Sequence, residues 1–360
     1  MKNKHMNFRK TIISIFSAGV LIFSISACEE SQTNQNTPDV EGIYIVNEGV
    51  MGQISGSITL VDPESGETIQ EYFKQQNEGR SAGSVVQDLS FSGEKAFLVA
   101  NNSKTVEILD KENFEARDVI SGLSYPRQFM AVGPNTGYLT NGSSGDNTNG
   151  EVFVIDLENH TVADTLEVGK GPESMVQVNN QVYVTNSGGY VSDSSVNIIN
   201  TDRHQVTGKV EVGAIPTDIT KDLNNNVWVF CKGLGGWQGG PTNSSLVKIN
   251  TDNQQTTTFD LGGRISSYGN YLLASDANKD KIYFVGMDGV YEMDVSQEEL
   301  PAEPIIQEIP YGLDVNPETG NIYCLKSEFQ ARGYAIRYNP DHTLIDSLQV
   351  GYSPNAVVFE

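Results

Sequence analysis

Val182-Tyr183-Val184-Thr185-Asn186, with Val168-Gly169-Lys170-Gly171-Pro172 before it and Val196 to Asn200 after it, is one copy of a unit that the chain repeats. An apolar strand with an aromatic at its second or third place recurs at Ile43-Tyr44-Ile45-Val46, Ala96-Phe97-Leu98-Val99, Gly137-Tyr138-Leu139-Thr140, Val227-Trp228-Val229-Phe230, Ile282-Tyr283-Phe284-Val285 and Ile322-Tyr323-Cys324-Leu325. Successive aromatics stand between 40 and 55 residues apart. That is the length of a four-stranded propeller blade.

Each aromatic strand is followed by a second one ending in Asp or Asn, as at Ile58 to Asp62, Val106 to Asp110, Val152 to Asp156, Leu246 to Asn250, Val290 to Asp294 and Ala335 to Asn339. A short side-chain oxygen there can take a backbone N–H two residues on and open the next turn. A more polar strand follows, such as Thr161 to Val168 or Gln205 to Val212, whose charge suits an outer edge. A Gly and Pro turn then leads into the strand nearest the axis, as in Val212-Gly213-Ala214-Ile215-Pro216 and Val350-Gly351-Tyr352-Ser353-Pro354. These strands and turns resemble the YVTN family of propellers over nearly all of residues 41 to 360. The reading is therefore an all-β, seven-bladed propeller of four-stranded antiparallel blades. The domain starts in the middle of a blade and ends on an orphan strand, Pro354 to Glu360, so pairing the two ends closes the ring and removes both free edges.

The N-terminus reads as an export signal. Basic residues Lys2, Lys4, Arg9 and Lys10 precede an apolar run from Thr11 to Phe23 that ends in Ile25-Ser26-Ala27-Cys28. The run is short for a bilayer span, and small residues before a cysteine suit lipoprotein cleavage. Residues 1–27 are thus expected to be a signal peptide, Cys28 the lipidated first residue, and 28–40 a polar tether to a domain at 41–360. Glu29-Glu30 resembles the acidic export signals of Bacteroidota lipoproteins, which implies an outer-membrane address at the cell surface, with the periplasmic face as the alternative. A formal charge of -23 with no concentrated basic run argues against nucleic acid as a partner. Cys231 and Cys324, two blades apart, are expected to be buried free thiols.

In a propeller the loops between second and third strands share one face with the entries to the inner strands. Here several of the former are long, among them Glu48 to Ser57, Gly142 to Gly150, Ser187 to Ser195, Lys232 to Ser245 and Lys326 to Gly333. That face becomes the candidate ligand site, carrying Tyr190, Trp237, Phe329 and Arg332 on long loops and Arg80, Tyr125, Arg127, Arg264, Tyr311 and Tyr352 at inner-strand entries. Trp237, in a glycine-rich loop, either caps a blade or stacks on a ligand. Arg127, just after Pro126 on the strand nearest the axis, is placed to clamp a phosphate or carboxylate. The periodic aromatics are core.

Catalysis finds little support. His160, His204 and His342 fall on turns of the opposite face, away from one another in sequence, so no catalytic residue, metal site or cofactor is assigned. Asp276-Ala277-Asn278-Lys279-Asp280 fails as a calcium loop, because Lys281 and Met287 replace the required Gly and Glu. A tether followed by such a propeller resembles the surface lipoproteins of Bacteroidota that capture cobalamin for a TonB-dependent outer-membrane transporter. The resemblance implies capture of a nutrient, with a corrinoid or a saccharide as ligand. The rival readings are a protein-binding envelope scaffold and a propeller lactonase or lyase.

Overall fold

The seven aromatic strands become the second strands of seven blades. The computed structural model describes residues 42–142, 149–189 and 191–360, with the backbone alone at Trp237. The signal, Cys28, the tether, Tyr190 and the Trp237 side chain therefore lie outside the described residues. Blade one runs from inner strand Val86–Ser92 through Lys95–Ala100 and Thr105–Asp110 to Ala116–Ile120. The inner strands of blades two to six are Pro126–Gly133, Pro172–Val178, Pro216–Lys221, Leu273–Ser275 and Gly312–Val315. Blade seven combines Pro354–Phe359 with Ile43–Asn47, Ser57–Val61 and Thr68–Ile69. Each inner strand packs beside the next, and Pro354–Phe359 returns to Val86–Ser92, so the ring is closed.

Closure is antiparallel pairing of the two ends: Tyr44 faces Val358, Ile45 faces Val357, and the Gly42 N–H donates to the Glu360 carbonyl at 3.1 Å. The cores lie between blades. Tyr183 and Val196 of blade three pack with Val227 and Val229 of blade four, and Tyr138 of blade two with Val182 and Val184 of blade three. A second strand is thus covered on both faces, which is why Val227–Cys231 is apolar without alternation and wholly buried. All seven periodic aromatics are buried. Outer strands touch a neighbour on one face only, and Thr161–Glu167 accordingly buries Leu166 alone.

Departures from the mean period have local causes. A short helix, Tyr72–Gln76, enters between blades seven and one, buries Phe73 and packs Tyr72 against Tyr44 and Phe114. Six blades have four strands; in blade five the outer place is held by a single bridge, Val290 to Ile306. Pro301 and Pro304 in that segment lack the N–H a ladder requires.

The terminal Asn of the repeat has a mechanical role. The Asn47 side chain accepts the Gly351 N–H at 2.9 Å and donates to Thr59 and to backbone carbonyls, tying the entry turn to the second strand. A Cβ on Gly351 would lie 2.5 Å from Asn47 Cγ, and one on Gly169 2.6 Å from Asn186 Cγ, so these turns need glycine for close approach. Asp110, Asp156 and Asn250 each accept two backbone N–H groups in the turn after the third strand. Cys231 and Cys324 are free and buried, and burial pushes the Cys231 thiol up to about 12.

Candidate functional site

Aligned on the buried aromatics, the inner strands and their entries bring Gln87, Arg127, Glu173, Thr217, Tyr271, Tyr311 and Asn355 to one level of the channel. Each blade places one side chain there, so residues remote in sequence become neighbours. Glu48, just past a second strand, enters the same mouth. It accepts from Gln87 Nε2 and from the Tyr311 hydroxyl, both at 2.7 Å. Arg127 Nε donates to Glu173 at 2.6 Å, and Ser187 Oγ donates to the other Glu173 oxygen at 3.0 Å. Lys232 is buried and donates to Asn270 Oδ1 at 2.9 Å and the Tyr268 carbonyl at 3.3 Å. Burial pushes its amine down to about 8, against the pull of Glu173.

Beside this polar mouth stands an aromatic ledge. Phe329 meets Tyr268 edge-on at 6.0 Å and Tyr311 at 5.8 Å. Tyr268 is 78% exposed and Phe329 50%, unlike the periodic aromatics. Phe329 stands at φ 53, in the left-handed region, on the loop after the second strand of blade six.

Deeper in the channel, the Tyr271 hydroxyl approaches the Gln87 carbonyl at 3.5 Å, reaching from the blade-five entry to blade one. Tyr271 also lines a cavity of about 260 Å³ with Asp88, Gln128, Asp218 and Asp314. Burial pushes all three aspartates up to about 7. Asp88 and Asp218 are structural stitches: each accepts backbone N–H groups from the next blade, Phe129 for the former and Leu272 and Leu273 for the latter. Gln128 does the same for Met175.

Of the residues singled out from sequence, the structure brings Arg127, Tyr311 and Phe329 to the mouth. Arg264 is exposed at its rim, with Nε 3.3 Å from the Gly233 carbonyl. Tyr125 is half-buried at the entry to blade two, where its N–H donates to Asn141. Arg80 and Arg332 are elsewhere. Arg80 forms a two-pronged pair with Glu107 over the Phe73 ring, and Arg332 bonds Gln70 beside the Tyr352 ring. Both flank the inserted helix at the ring's periphery. Glu48, Gln87, Glu173, Lys232, Tyr268 and Tyr271 were not legible as site residues. The Pro-x entry pattern points to Glu173 as much as to Arg127, but nothing local marks the others.

The histidines occupy left-handed turns. His160 contacts Asp118 and Lys95, His204 the Tyr138 hydroxyl, and His342 Glu292, each reaching the preceding blade. Asp276 accepts the N–H groups of Asn278 and Lys281, so that loop is an Asx turn.

The chain belongs to the family described as Domain of unknown function (DUF5074), which matches residues 41–347. No curated protein matches it. Among solved structures it is similar to a quinonprotein alcohol dehydrogenase-like protein from Bacteroides thetaiotaomicron, at 14% identity and a TM-score of 0.67, over 89% of this chain and 78% of the other. Hydrazine synthase of Kuenenia stuttgartiensis is similar at 16% identity and 0.62, over 86% and 99%. A functionally unknown protein from Desulfotomaculum acetoxidans follows at 9% and 0.61, over 89% and 99%. At these identities the likeness concerns the fold alone.

Proposed function

We propose that this DUF5074 propeller captures a small ligand at its channel mouth while tethered to the outer membrane through Cys28, and hands it to a transporter. The observation that carries the reading is the ledge of Tyr268 and Phe329 standing exposed beside the polar channel mouth. Exposed aromatics cost free energy in water unless something covers them, and a flat apolar ligand part with polar edges suits such a place. A corrinoid and an oligosaccharide are the ligand classes to try first.

The test is native mass spectrometry of the full chain after incubation with corrinoids and oligosaccharides. Retention by the wild type, lost in Phe329→Ala and Tyr268→Ala, supports capture; no retained species from either class overturns it. Palmitate labelling abolished by Cys28→Ala tests the anchor. A scaffold is the second reading, favoured by Met51, Ile54, Met287 and Ile309, which are exposed on loops of the same face. Recovery of an envelope protein with no small molecule at the mouth would favour it.

A further inference from the structure

The polar mouth is unbalanced in a specific way. Both oxygens of Glu48 are occupied, by Gln87 and Tyr311, and both oxygens of Glu173, by Arg127 and Ser187. The carboxylates have little left to offer a ligand. The cations differ. Among the described residues Arg127 donates only through Nε, which leaves both terminal nitrogens of the fork without a protein acceptor, although its side chain is only 15% exposed. Lys232 has two acceptors for three donors. Arg127 stands at the channel level of the inner strands and Lys232 just past the second strand of blade four, and the two cations feel the same carboxylates, Glu48 and Glu173.

A partly screened guanidinium whose outer nitrogens lack a protein acceptor is open to an ion that supplies acceptors and negative charge. A planar fork with two adjacent free nitrogens matches two oxygens of one carboxylate or phosphate. From this we infer that the mouth recognises an anionic group: the Arg127 fork and the Lys232 amine grip a carboxylate or phosphate while the Tyr268–Phe329 ledge covers the ligand's apolar part. The assignment rests on the mouth being the capture site proposed above.

Calorimetric titration of the full chain with inorganic phosphate and, separately, with succinate separates the two sources of negative charge. Binding of at least one is expected, weakened tenfold or more in Arg127→Gln and unchanged in Arg80→Gln, which alters only the periphery. Lys232→Gln gives a second reading if Arg127→Gln fails to fold, and a tenfold loss is expected there too. The inference is overturned if neither anion binds the wild type, or if folded Arg127→Gln and Lys232→Gln bind as tightly as wild type. A corrinoid or saccharide still retained by Arg127→Gln, but lost in Phe329→Ala, would sink the anion site and leave capture standing. Anion binding that depends on Arg127, with no panel ligand retained, would do the reverse.

Discussion

The Asp218 carboxylate of blade four accepts the backbone N–H of Leu273 in blade five at 2.8 Å, and through the same oxygen that of Leu272 at 2.7 Å. Asp88 repeats the device toward Phe129. Neighbouring blades are therefore joined by polar stitches on the channel wall as well as by the apolar seams between sheets.

The buried aspartates of the channel wall make stability depend on pH. Burial holds Asp88, Asp218 and Asp314 up to about 7, whereas an unfolded aspartate loses its proton near 4. Between those values the unfolded chain binds fewer protons, so stability from these groups is full below the window and lost as pH rises through it. The melting temperature is expected to fall from pH 5 to 7.5, and Asp218→Asn to flatten that slope. An unchanged slope would contradict the assignment.

Asn47→Ala should strip the Gly351 N–H of its acceptor inside the core. Leaving such a donor unpaired costs about 1–3 kcal/mol. Denaturant unfolding reads the loss, with no large change in m expected.

Removing residues 355–360 deletes most of the strand that pairs with Ile43–Asn47 and reopens both sheet edges. Aggregation or loss of the cooperative transition is expected. A monomeric chain with an unaltered melting temperature would show that closure is not required.

Cys231 and Cys324 lie in the seams, with thiols raised by burial. The thiolate is the reactive form. An aromatic disulfide reagent should label neither in the native chain and both in denaturant.

Arg80→Ala separates periphery from mouth. The variant loses the Glu107 pair and its packing on Phe73, so a modest fall in melting temperature is expected, with ligand retention unaltered. Reduced retention would move the site toward the inserted helix.

The aromatic strands and the turn-forming Asp and Asn were legible because each is a local pattern repeated seven times, the Gly-x-x-Pro entries because three turns share them, and the split blade because the domain starts mid-blade and ends on an orphan strand. The long loops gathered on one face were legible too, since loops can grow only where strands do not have to meet. Arg127 and Phe329 could be picked out by their neighbours in the chain. Glu48 and Lys232 could not: each follows a second strand as an ordinary polar residue, and only the ring brings Glu48 of blade seven and Lys232 of blade four to one axis.

The sequence by itself determined the repeat, the blade number and the closure, because the aromatic strand and its turn chemistry recur at blade spacing, and a domain that starts mid-blade and ends on an orphan strand completes the ring by pairing its two ends. Tertiary structure alone decided which charges face one another, since the channel assembles one side chain from each blade and their hydrogen bonds span as many as 268 residues, as from Asn355 to Gln87. It also decided that Arg80 and Arg332 turn to the inserted helix, because a carboxylate or amide acceptor within reach there satisfies them better than the open channel does.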